Sequence, residues 1–107
     1  MTYELAAQIL DAIEAAGDEL RLDLYRAAVR YSLLRSEWHL ASPDERREME
    51  SRRTAAHNVF IDALNILIRN LNRVGGDVSW RKSIGEDRKA IGDFAVFLAA
   101  RFGILAR

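Results

Sequence analysis

The stretch SPDERREMESRRTAAHNVFIDALNILIRNLNRVGG, residues 42–76, decides the fold. It opens on a helix start. Ser42 can cap, Pro43 suits the first helical turn, and Glu45 completes a capping box. No helix breaker follows until Gly75-Gly76. The spacing predicts one helix of about 31 residues, roughly 46 Å long at 1.5 Å per residue. A compact domain of this size has a radius of gyration of only about 13 Å. Such a helix must kink or project, and if it projects, its neighbour in sequence is the natural antiparallel partner.

That neighbour is read back from the Ala41-Ser42 turn. Leu20, Leu24, Ala27, Tyr31, Leu34 and Trp38 alternate four- and three-residue spacings, a heptad-like seam. Asp18 is placed to cap this helix, without a capping box, since Arg21 follows where Glu would stand. Asp23, Arg26, Arg30 and Glu37 fall on the opposite, solvated face. Before it, Leu5, Ile9, Ala12, Ile13 and Ala16 mark a first helix over about Thr2–Ala16, stopped by Gly17. After Gly75-Gly76-Asp77, Ser79 is placed to cap a short turn, WRKSI. A last helix over about Glu86–Phe102 is apolar all round its C-terminal half and stopped by Gly103. The expected architecture is a single all-α domain over residues 1–107, a four-helix bundle with a long third helix, dimeric through its hairpin.

Composition narrows the function. The chain has 107 residues, half of them hydrophobic, with six Gly and one Pro. It has no cysteine, which excludes disulfides, thiolate metal sites and cysteine catalysis and suits a reducing cytoplasm. The N-terminal MTYELAAQIL lacks the basic-then-apolar pattern of a signal peptide. The longest apolar run, Phe94–Ala100, is far short of the roughly 20 residues of a membrane span. Sixteen basic and sixteen acidic residues cancel, which argues against a nucleic-acid binder. No His-rich metal motif and no Gly-rich phosphate loop is present, and no cofactor is expected.

Two sets of residues on the third helix are candidate sites. Asn58, Asp62, Asn65, Arg69 and Asn72 share one narrow stripe. It faces water, lines a ligand cleft, or meets its copy across a dimer axis. Its amides favour hydrogen bonding over acid–base chemistry. Arg46, Glu50, Arg53 and His57 form a second stripe, on the continuation of the apolar face carrying Phe60, Leu64 and Leu71. Charged groups there must pair or leave the core. Arg53 and Glu50, three apart, can pair. The alternative is a site where arginine binds an anion and His57 moves protons. Trp38 and Trp80 read as core or interface anchors. Asp93 pairs with Lys89, four residues earlier, or with an arginine of the third helix.

Arg52-Arg53-Thr54-Ala55-Ala56-His57 has the form R-x4-H. It resembles the motif of HEPN-type ribonucleases, small helical proteins that often act as dimers. The resemblance implies metal-independent cleavage, with Arg52 on the scissile phosphate and His57 in acid–base work. Two features depart from it. Arg53 stands where that family carries Asn, Asp or His, and on an ideal helix Arg52 points about 140° away from His57 while Arg53 is co-facial. Separately, RTAAHNVFIDALNILIRNL, SW and IGEDRKAIGDFA resemble a bacterial family of small helical proteins of unknown function, over Ser51–Phe102. That likeness carries no activity. It places His57, Asn58, Asp62, Asn65, Trp80, Arg88 and Asp93 in patterned segments, with Arg88 and Asp93 expected near polar positions of the third helix. The reading favoured overall is a self-associating interaction or regulatory module. The alternatives are a ribonuclease using Arg52, Arg53 and His57, and a small-ligand binder using Asn58, Asp62, Asn65 and Arg69.

Overall fold

The computed structural model describes residues 2–102. It is all-α, with helices α1 (Tyr3–Glu14), α2 (Asp18–Leu40), α3 (Pro43–Arg73), α4 (Trp80–Ile84) and α5 (Arg88–Phe102). The expected Gly103 stop lies outside the described residues.

Helix α3 runs unbroken for 31 residues. Its length sets the longest extent of the molecule, 47 Å. The capping box is made: Ser42 Oγ accepts from Glu45 N at 3.3 Å, and Glu45 Oε1 accepts from Ser42 N at 3.1 Å. The far end closes as a Schellman motif. Gly76 N donates to Leu71 O at 2.8 Å and Gly75 N to Asn72 O at 3.4 Å. Gly75 has φ +77°, which a side chain would strain. At Gly76 a Cβ would lie 3.2 Å from Leu71 Cδ2.

Helix α2 runs antiparallel to α3, and α5 packs against α2. The core draws Ile9 and Ile13 from α1, Leu24 and Tyr31 from α2, Phe60, Leu64, Leu67 and Leu71 from α3, and Ile91, Phe94 and Leu98 from α5. Ring contacts run across four helices, Tyr31 to Phe60 at 6.2 Å, Phe60 to Phe94 at 6.0 Å, and Phe94 to Trp80 at 6.2 Å. Such pairs add roughly 0.5–1.5 kcal/mol each beyond area burial. On α3 the main core begins at Ala56 and on α2 it ends at Leu34. The hairpin beyond them therefore projects, as a tip held by other contacts.

Several expectations change. Among the described residues there are five helices, not four, because WRKSI closes a helical turn of its own. Asp77 organises that turn, not Ser79. Its Oδ1 accepts from Ser79 N at 2.9 Å, and its carbonyl accepts from Trp80 Nε1 at 2.7 Å. Asp18 is the first residue inside α2, paired with Arg21, and Gly17 is the cap. The last helix starts at Arg88, since Asp87 Oδ1 takes the Ala90 N–H at 2.8 Å. Helix α5 is buried through Ile91, Phe94, Ala95 and Leu98, but Val96 is exposed. Val59 and Ile66 of α3 are exposed as well, because no helix covers that side.

Candidate functional site

The polar changeover on α3 is built around one tryptophan. Trp38 stands near the C-terminus of α2, and two α3 guanidiniums lie over its ring. Arg46 Cζ is 4.3 Å and Arg53 Cζ 4.2 Å from the ring centroid. Cations seek the negative face of an indole, and the gain grows with desolvation. Arg46 also closes the end of α2. Its Nε donates to Trp38 O at 2.9 Å and its Nη2 to His39 O at 3.1 Å. Terminal helix carbonyls need such donors.

Glu50 is the counter-charge. It meets Arg53 at 3.7 Å and Arg88 of α5 at 3.5 Å. Arg88 Nη2 donates to Thr54 Oγ1 at 2.9 Å, and that hydroxyl lies 3.4 Å from Glu50 Oε1. Arg88 thus reaches α3, as expected. Asp93 does not. It accepts from Arg35 of α2 at 2.9 Å and pairs with Lys89 at 3.5 Å. The Arg35 hydrogen bond holds the Asp93 carboxyl below its usual range. Arg35 crosses α5 at Gly92, where a Cβ would sit 3.0 Å from its Nε.

His57 is half-buried. Its ring meets Tyr31 edge-on, centroids 5.4 Å apart, and its Nδ1 lies 3.4 Å from Asn58 Oδ1. Arg52 is exposed and faces elsewhere, lining a depression of about 420 Å³ at the hairpin tip with Glu37, Glu45 and Glu48. Arg52 and His57 thus share no contact. Arg53 lies on the His57 side, but its guanidinium is already stacked on Trp38 and paired with Glu50. A proton-moving site needs its groups within hydrogen-bond reach of one reacting atom, and this arrangement does not bring them there.

Asn58, Asp62, Asn65, Arg69 and Asn72 are all exposed. Asp62 lines a groove of about 440 Å³ between α2 and α3. The groove has an apolar floor of Leu20, Ala27, Val59, Ala63 and Ile66, and a rim of Asp23, Arg26, Arg30 and Asp62. Among the described residues, none of the four rim charges has an ion pair. Asn58, Asn65 and Arg69 do not line it. Among the described residues, no three His, Asp or Glu side chains converge as a metal site, and no helix is long and apolar enough to cross a membrane.

Sequence reasoning missed Arg35 and the role of Arg46 as an α2 cap. Gly92 was the available signal for Arg35, since glycine inside a helix marks close approach of another group. No protein-family model, curated protein or solved structure matches the chain.

Proposed function

We propose that this chain is a self-associating helical interaction module, acting as a homodimer. The observation that supports the reading is the uncovered side of the α2–α3 hairpin. There an apolar groove floor is bordered by charges of both signs, with no ion partners within the described chain. A second copy supplies apolar cover and both signs of charge at once, as a self-complementary contact requires. The polar cluster around Trp38 supports the same reading from the other direction. Its arginines are spent on internal contacts that hold the hairpin tip in shape.

Light scattering over a concentration series tests this. The expected particle has twice the 12.2 kDa chain mass, and Ile66→Glu, on the groove floor, lowers it toward one. A clean monomer at high concentration defeats the reading. Incubation with mixed RNA beside a His57→Ala control separates it from an enzyme, and cleavage by the native chain alone would restore the Arg/His site.

A further inference from the structure

Helix α2 carries two seams. The first is buried, through Leu24, Ala27, Tyr31 and Leu34. The second lies on the opposite side, where Leu22, Arg26, Val29, Leu33, Ser36 and Leu40 follow spacings of four, three, four, three and four. Four of these six are apolar. Leu22 is 42%, Leu33 60% and Leu40 89% exposed. Single exposed leucines need no explanation. A regular repeat over roughly 27 Å of helix does, because an average spacing of 3.5 keeps one stripe facing a partner helix.

The seam is also palindromic. Residues 22 and 40, 26 and 36, and 29 and 33 are each centred on position 31. A two-fold axis at the level of Tyr31 therefore sets Leu22 opposite Leu40 of the partner subunit, and Val29 opposite the partner's Leu33. Arg26 falls opposite Ser36 and Glu37 of the partner subunit. Among the described residues, neither Arg26 nor Glu37 has an ion pair. The two-fold provides each with one, twice over. Parallel pairing places Arg26 against Arg26 and Glu37 against Glu37, which repel. Arg26 is also on the lip of the α2–α3 groove, so the same approach closes over one edge of it.

We propose that two copies of this chain pair antiparallel through α2 along the Leu22–Leu40 seam, with Arg26 of each against Glu37 of the other. The proposal rests on the self-association reading; it centres the contact on the α2 seam, with the groove at its edge.

Charge exchange tests it. Leu33→Glu is expected to give a monomer with unchanged helical circular dichroism. Arg26→Glu and Glu37→Arg each weaken the dimer by about tenfold or more, and the double variant recovers it, since both symmetric pairs return with sign reversed. The chain has no cysteine, which allows a second readout. Val29→Cys and Leu33→Cys variants should form a disulfide dimer when mixed and not separately. If Leu33→Glu stays dimeric, this seam is not the interface, although self-association stands. If the double variant stays as weak as the singles and the mixed cysteines do not join, the register is overturned. A monomeric native chain removes the proposal together with the reading beneath it.

Discussion

Replacing Trp38 by leucine and Arg53 by methionine, singly and together, asks whether the arginine of the polar changeover is held or free. Arg53 lies 4.2 Å from the Trp38 centroid, and its side chain is only 14% exposed. Cation–π contacts run from about 0.5 kcal/mol when exposed to about 2 when desolvated. This one belongs near the upper end. Trp38→Leu loses two such contacts and part of a ring's packing, for about 3 kcal/mol. At about 4–8 °C per kcal/mol for a domain of this size, Tm falls by roughly 12–24 °C. Arg53→Met keeps the aliphatic stem and leaves Glu50 to Arg88, for about 1.5 kcal/mol. In the double variant the shared contact is counted once, so the loss is smaller than the sum by about 1–2 kcal/mol. Urea unfolding followed by far-UV circular dichroism measures all four chains. Additivity within about 0.3 kcal/mol refutes the reasoning. It would mean that the guanidinium is not bound to the ring and is available to an anion beside His57.

Two other outcomes follow from the same contacts. Ser42→Ala should cost about 1 kcal/mol by removing the cap of α3, whereas Ser51→Ala, on an exposed helical position, should change stability little; equal effects in the same urea assay would argue against the capping box. Stability should also fall in acid. The Asp93 carboxyl is lowered by Arg35, that of Glu45 by the Ser42 N–H, and that of Asp77 by Gln8. A depressed carboxyl stabilises the fold above its unfolded value and loses that contribution as pH falls through its folded one. The urea midpoint should therefore hold from pH 7 to about 5 and drop below about 4, with a shallower drop in Asp93→Asn. A midpoint unchanged to about pH 3 would contradict the assignment.

The fold was legible where local chemistry acts alone. The capping box and the Gly75-Gly76 stop define α3 because each satisfies backbone groups within a few residues. The α2 core seam was legible through its spacing. What spacing cannot show is which side of a helix its neighbours leave uncovered. Val59 and Ile66 are apolar residues of α3 that stand in the open, since α5 packs against α2 and leaves the groove side of α3 bare. Asp93 was expected to reach Lys89 or α3, and its main partner comes from α2, 58 positions away. His57 and Arg53 did mark a change of surroundings. Arg53 depends on a tryptophan of α2 and the His57 ring on a tyrosine of the same helix, and only packing brings either to α3.

The bond from Arg46 to Trp38 joins residues 8 apart, whereas Gln8 of α1 meets Asp77 across 69. With closure cost rising as the logarithm of loop length, the first contact is cheaper by about 2 kcal/mol. The hairpin can therefore knit from its own turn outward. The first helix, like α5 with its 58-residue span from Asp93 to Arg35, must wait for the chain to bring its distant partners back.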